Sequence, residues 1–407
     1  MSQILNGIRV VELATWGFMP SAGVVLSDWG AEVIKVEHPA HGDPMRGLVT
    51  GGLLSLGGTS EANFMWEATS RGKRSIGLDL KQPAAREAFL KLIETADVFL
   101  TNYLPDVREK LGIDVDDLRS RNPRLVYARA SGLGPDGDEK NSGGFDLAAY
   151  WARSGVAHAT TPASLDYPLP MPGPAFGDLQ GGQYAAGGVV GALFQRERTG
   201  EAPVVDVSLL AAGIWSMGPH ISASSVYGMD MVPASDRTKP SNPLSSTYRT
   251  SDGRFVSLVM LESDRFWPGL VAALGRPELA DDPRFVDAGA RKDNNVECVR
   301  VLDNMFNELT LDAAARALGS QRGVWAVVAT PKEAASDPQA QANGYVQYVE
   351  LHGGQTVAVA TSPVQFDQYT PAVTPGPELG ESTEILLLEL GVDWDDISAM
   401  KDKGAVS

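Results

Sequence analysis

The chain is poor in cysteine, in positive charge and in long apolar runs. Its one cysteine, Cys298 in 407 residues, excludes an internal disulfide and a cysteine-built zinc site. Cys298 falls in an expected helix, Asn294–Asn307, with no histidine paired to it in sequence, and reads as an inert interior thiol. Lys and Arg number 34 against 51 Asp and Glu, a formal net charge of -17. Nucleic-acid partners require a basic footprint, so that class is excluded. An anionic small ligand then needs a local cationic pocket. No apolar run reaches the roughly 18 residues of a membrane span; the longest candidate, Gly187–Phe194, is far too short. The first residues lack the charged and apolar segments of a secretory signal. These features predict a cytoplasmic protein without membrane contact, long enough for two or more domains.

The first hundred residues alternate between strand and helix. Arg9–Leu13 is a β-branched run, the mark of a buried strand. Pro20 opens a helix that Gly30 ends, and Glu32–Glu37 is the next strand, completing a βαβ unit. Ser75–Leu80, Val98–Leu100, Arg124–Ala130 and Val204–Val207 are further strands. Pro83–Ala96 is an amphipathic helix, and Leu179–Arg198 is a helix rich in Gly and Ala. Met229–Pro243, rich in Pro, Ser and Asp, reads as a linker. Beyond it come a hairpin around Ser251-Asp252-Gly253, several short helices, a second hairpin near His352–Gly354 and a last helix, Ser382–Leu390. The expected fold class is α/β. An open Rossmann-like sheet forms a large domain over 1–225, a smaller α+β domain with its linkers covers 226–330, and 331–407 returns to the large domain.

One segment combines a carboxylate with backbone freedom on both sides: Phe176-Gly177-Asp178-Leu179-Gln180-Gly181-Gly182. A carboxylate among unobstructed N–H groups is suited to nucleophilic catalysis with charge stabilisation nearby. It is equally suited to capping a helix. Spacing alone leaves both readings open.

Several segments also line up in a specific order. Leu5-Asn6-Gly7-Ile8-Arg9-Val10-Val11-Glu12-Leu13 is followed by Gly30-Ala31-Glu32-Val33-Ile34-Lys35-Val36-Glu37 and by Gly42-Asp43-Pro44-Met45-Arg46. Then come Gly72-Lys73-Arg74-Ser75-Ile76-Gly77, Ala96-Asp97-Val98, Asn122-Pro123-Arg124-Leu125-Val126-Tyr127, Gly177-Asp178, Asp252-Gly253 and Leu379-Gly380-Glu381. In this order and spacing the chain resembles the family III CoA-transferases, which include formyl-CoA:oxalate and carnitine CoA-transferases. The α-methylacyl-CoA racemases share their fold. The resemblance implies an interlocked, ring-like homodimer with its CoA site between subunits. It implies coenzyme A and acyl-CoA as substrates, a carboxylic acid acceptor, no metal and no permanently bound cofactor.

It also implies roles for residues. Asp178 matches the catalytic aspartate, which attacks an acyl-CoA thioester. Gly181 and Gly182 then let backbone N–H groups approach an oxyanion. Lys73, Arg74, Lys110, Asn102, Tyr103 and Arg46 match positions that contact or line the CoA groove. His38 replaces an arginine there, and as a mostly neutral side chain it leaves phosphate or adenine binding in doubt. Thr15, Trp16, Phe18 and Met19 occupy the loop that approaches the thioester in relatives, and their bulk suggests an apolar acyl pocket. The alternative is that they pack under the helix that follows. Phe145 stands where the racemases carry a proton-exchanging histidine, so transfer is favoured over α-proton exchange on a branched acyl-CoA. Asp146, and Lys140 with it, are candidates for orienting neighbouring groups or substrate.

Overall fold

The computed structural model describes residues 3–49, 62–229 and 236–407. Of the expected linker Met229–Pro243, residues 230–235 lie outside the described residues. The chain forms two compact units. One comprises Met1–Thr160, Pro168–Asp230 and Asp337–Ser407; the other comprises Thr161–Tyr167 and Met231–Ser336.

The larger unit is built on a six-stranded parallel sheet: β1 (Arg9–Leu13), β2 (Glu32–Glu37), β3 (Arg74–Gly77), β4 (Val98–Thr101), β5 (Val126–Ser131) and β6 (Val204–Ser208). The spatial order is β3-β2-β1-β4-β5-β6. The order reverses between β1 and β4, where open α/β sheets place ligands beyond the carboxyl ends of the strands. Strands buried on both faces need apolar residues at successive positions, and these have them. Val10, Val98, Leu100, Val126 and Ala128 join the core on one face. Val11, Leu13, Phe99 and Tyr127 join the core on the other.

The helices of this unit are α1 (Phe18–Asp28), α2 (Phe64–Ser70), α3 (Pro83–Glu94), α4 (Pro105–Leu111), α5 (Val115–Arg119), α6 (Val156–Thr160), α7 (Phe176–Thr199), α8 (Leu209–Ser216) and α9 (Gly218–Tyr227). Helix α1 is buried along almost its whole length, with Val24, Val25 and Leu26 in the core. It packs directly on α7, and glycine makes that approach possible. A β-carbon on Gly181 would meet the Phe18 ring at 2.4 Å, and one on Gly182 would meet Ser21 Oγ at 1.9 Å. The small residues of α7 are thus a packing face.

The exposed edge of β3 is covered by the chain's last residues. Asp79 N–H donates to Ala405 O (2.9 Å), and Leu78 bridges Val406 in antiparallel sense. A helix over Trp394–Asp402, not anticipated from sequence, precedes this contact.

The smaller unit holds an antiparallel three-stranded sheet of β7 (Thr247–Arg249), β8 (Phe255–Leu258) and β9 (Trp325–Val327). Its core contains Tyr248, Trp267, Phe285 and Phe306. Cys298 lies in this core, fully buried, and burial pushes its thiol up to about 12. It is an apolar filler at neutral pH. Among the described residues no helix is long and apolar enough to cross a membrane.

Candidate active site

The carboxyl ends of β1 and β4 are tied together by one side chain. Asn102, just past β4, accepts the N–H of Thr15 through Oδ1 (3.0 Å) and donates from Nδ2 to Thr15 O (2.7 Å). This two-point clamp fixes the loop between β1 and α1. The next residue, Trp16, adopts φ 65, a left-handed conformation that is strained for a bulky side chain. Its N–H donates to Asp43 Oδ1 (3.1 Å).

Asp43 belongs to a buried cluster of charges. Its Oδ2 lies 2.8 Å from Lys35 Nζ, which also donates to Glu12 Oε1 and Ala14 O, each at 2.9 Å. Lys73 Nζ donates to Glu12 Oε2 (2.7 Å), Pro20 O (2.8 Å) and Thr69 O (2.7 Å). Glu37 accepts from Arg46 Nε (2.8 Å) and Nη2 (2.7 Å) and from Asp43 N–H (2.9 Å). Burial alone would lower Lys35, since the loss of water favours the neutral amine, but Asp43, Glu12 and Glu37 outweigh it and hold the ammonium above its usual range. For Lys73 burial wins, lowering it to about 8 against the pull of Glu12.

Asp178 faces this loop from the first turn of α7. It is not the helix cap. The cap position is Ala175, at φ 59 and without a capping side chain. Asp146, from a distant segment, supplies the missing acceptor: its Oδ2 takes the N–H of Gly177 (3.2 Å) and its Oδ1 the N–H of Leu147 (2.8 Å). The Asp178 backbone is held by Ser21, whose Oγ donates to Asp178 O (3.1 Å). Its carboxylate stands against Gly17, where a β-carbon would lie 2.3 Å from Oδ2. Burial, and then the charge of Asp146, push the Asp178 carboxyl up to about 7. A helix N-terminus ordinarily favours a carboxylate, but here Asp146 already occupies its donors.

Trp16 and Phe145, the chain neighbours of Gly17 and Asp146, meet edge to face with ring centroids 5.8 Å apart. Trp16 also packs against the small buried cluster formed by Met45, Met65, Trp66 and Ala175. Phe145 is 61% exposed.

Several expected site residues are placed differently. Gly181 and Gly182 lie beyond the first turn of α7, where N–H groups belong to the helix, and their open side faces α1; they are spacers, not oxyanion donors. Phe18 and Met19 are interior side chains of α1, so neither lines an acyl pocket. Lys73 spends its three donors on buried acceptors and has no surface to offer a phosphate. Arg46 is paired with Glu37, donates from Nη1 to Pro377 O (3.0 Å) and lies 3.8 Å above the Trp66 ring. Arg74 is shared between Glu32 (2.6 Å) and Glu389 (2.9 Å). These cations build the fold, because each found a carboxylate that the local sequence does not reveal.

Other candidates lie at the strand ends. His38 follows β2, half exposed, stacked on His41 at 4.8 Å. Tyr103 follows Asn102, and together with Lys140 it lines a crevice at the ends of β4, β5 and β6. Lys110 is exposed on α4. Among the described residues no group of three or more His, Cys, Asp or Glu is placed to hold a metal. Sequence reasoning passed over Gly17, Asp43, Glu12 and Lys35, whose importance lies in distant contacts.

The model of CoA-transferase family III matches residues 5–383. The chain belongs to that family. It is 31% identical over 409 residues to (R)-2-hydroxy-4-methylpentanoate CoA-transferase of Clostridioides difficile, covering 99% of each chain. It is 32% identical over 395 residues to succinate–glutarate CoA-transferase of Agrobacterium fabrum, covering 95% of each. A crystal structure of a CAIB/BAIF family protein from Brucella suis superposes with a TM-score of 0.82 at 27% identity, covering 96% of this chain and 100% of that one. The chain is therefore a CoA-transferase. The two curated relatives differ in the acids they are named for, so family membership leaves the acid open.

Proposed function

We propose that this CoA-transferase moves CoA from an acyl-CoA thioester to an acceptor carboxylic acid through covalent intermediates on Asp178. One observation carries this reading: the Asp178 carboxyl is held at the sheet's switch point, raised to about 7, with a neighbouring carboxylate and no neighbouring cation among the groups that shift it. At neutral pH it is substantially ionised, and it keeps the basicity a nucleophile needs.

An Asp178 carboxylate oxygen attacks the thioester carbonyl, the C–S bond breaks, and CoA leaves as thiolate. The product is a mixed anhydride. The thiolate then attacks the Asp178 acyl carbon, expelling the donor acid and forming an aspartyl-CoA thioester. The acceptor carboxylate attacks that carbon and expels CoA again, giving a second anhydride. CoA finally attacks the acceptor carbonyl, forming the new thioester and restoring the Asp178 carboxylate. The anhydrides lie uphill of the thioesters, but the overall exchange turns one acyl-CoA and one acid into another acyl-CoA and another acid, so no external energy source enters. Water must be kept from both intermediates, which suits a carboxylate that stands against the Gly17 backbone and is raised by burial. Proton exchange at an α-carbon needs a second acid/base group, and Asp146 is committed to the α7 cap.

The groove along the strand ends, with His38, Asn102, Tyr103 and Lys110, is the proposed path of CoA. A second copy of the chain is the proposed cover for the apolar face of α8 and α9, where Trp215, Val226 and Tyr227 are each more than two-thirds exposed at 76%, 74% and 71%. Intact-protein mass spectrometry after incubation with acyl-CoA thioesters tests the chemistry. A mass adduct is expected, hydroxylamine should release or trap it at Asp178, and Asp178→Ala should abolish it together with turnover. An Asp178→Ala protein with undiminished transfer would end this reading.

A further inference from the structure

We propose that the acyl group carried by Asp178 lies against the Trp16–Phe145 pair, and that the acids of this enzyme are apolar monocarboxylates, branched-aliphatic or aromatic, rather than dicarboxylates. The inference rests on Asp178 as the nucleophile.

The geometry supplies one apolar wall. Trp16 is chain neighbour to Gly17, which touches the Asp178 carboxylate, and Phe145 is chain neighbour to Asp146, which caps the helix bearing it. The two rings meet edge to face at 5.8 Å. Trp16 is held in its left-handed conformation by the Asn102 clamp on Thr15 and by Asp43 on its own N–H. Strain of this kind persists where surrounding contacts over-determine it, and it fixes where the indole stands. A rigid aromatic surface at the reacting carbonyl rewards acyl groups with apolar bulk.

The charges argue in the same direction. A dicarboxylate brings a second carboxylate within a few ångströms of Asp178 and Asp146, in a site where burial already penalises charge. It needs a cation. Lys35 and Lys73 are enclosed with Glu12 and Asp43, and Arg46 is committed to Glu37. The stretches outside the described residues, 1–2, 50–61 and 230–235, contain no Lys, Arg or His. The three cations of the cluster behind the Trp16 loop are thus already claimed by carboxylates of the fold.

Identity exchange tests this without assuming a physiological acceptor. Each acyl-CoA is incubated with its own isotopically labelled acid, and label entering the thioester is followed by mass spectrometry. The acids are 3-phenylpropanoate, 4-methylpentanoate, succinate and glutarate. Exchange with the first two is expected to exceed exchange with the last two by at least about tenfold in kcat/KM. Phe145→Arg, which places a cation on the wall, is expected to shift the 3-phenylpropanoate-to-glutarate ratio toward glutarate by at least about tenfold. Phe145→Ala is expected to lower that ratio through loss of the ring. A ratio within one protein is insensitive to the fraction folded. Equal or faster exchange of succinate or glutarate in the unaltered enzyme overturns the inference while leaving Asp178 catalysis intact. No exchange with any of the four acids also overturns this inference, while an Asp178 adduct formed from another acyl-CoA would leave the covalent reading standing.

Discussion

Gly17 stands so close to Asp178 that a β-carbon at position 17 would lie 2.3 Å from the carboxylate oxygen Oδ2. The backbone there, φ -97 and ψ -44, is open to any residue. The glycine is therefore demanded by the carboxylate and not by the turn. Gly17→Ala is expected to displace the Asp178 side chain and lower kcat/KM by about 100-fold or more. Stability should fall by only about 1–3 kcal/mol, the usual scale of a local overpacking. Steady-state kinetics beside thermal unfolding separates the two. An active Gly17→Ala enzyme would mean that the reacting group lies elsewhere.

The raised carboxyl of Asp178 sets a pH dependence. The ionised form attacks, so activity is lost as the group takes up a proton. kcat/KM for an acyl-CoA should climb with pH, bend near about 7 and level above it. Burial is the larger cause of the shift and Asp146 the smaller. Asp146→Asn should therefore move the bend to lower pH without returning it to the ordinary value. A bend that moves upward in this variant contradicts the assignment.

The same group has a consequence for stability. Its folded value of about 7 lies above the 3.8 of an unperturbed aspartate. The unfolded chain releases its proton first, so this site's contribution declines as pH rises from about 4 to about 7 and stays low above that. Asp178→Asn removes the cost of the buried charge. It should stabilise the protein at pH 8 by up to about 4 kcal/mol and by almost nothing near pH 4. Denaturant titrations at the two pH values provide the check, and a destabilised variant at pH 8 would refute the buried charge.

Lys73 and Lys110 are expected to behave oppositely. Lys73→Met leaves half of Glu12 buried without its partner, a loss of about 3–5 kcal/mol, while the KM for acyl-CoA of the folded fraction stays the same. Lys110→Ala, at an exposed position, should change stability by no more than about 0.5 kcal/mol and raise that KM several-fold. Chemical denaturation and initial-rate measurements on both variants suffice. A Lys73→Met protein of normal stability with a raised KM would restore Lys73 to the CoA groove.

Strands were legible where local sequence suffices to make them. Arg9–Leu13 and Glu32–Glu37 have the bounds their β-branched runs suggest. The start of α7 was not, because its cap residue, Ala175, offers no capping side chain and the acceptor comes from Asp146. An aspartate that looked like part of a break is inside the helix for that reason. The helix Trp394–Asp402 was missed because only Ile397 and Met400 of its residues are buried, too sparse a pattern to read. Lys73 was legible as a charge but not as a buried one, since Glu12 lies 61 positions away. Charges read from sequence carry no information about whether a distant carboxylate has claimed them.

The buried cluster behind the Trp16 loop joins three carboxylates, Glu12, Glu37 and Asp43, to three cations, Lys35, Lys73 and Arg46. The signs cancel. A scaffold built from six charges next to a reactive carboxylate would ordinarily impose a field on it, and an unbalanced cation would make Asp178 a weaker base and a poorer nucleophile. Here each cation of the scaffold is paired with a carboxylate of the same cluster. The protein fixes its loop with ionic contacts and still leaves the Asp178 carboxyl raised, by the shelter around it and by Asp146 beside it.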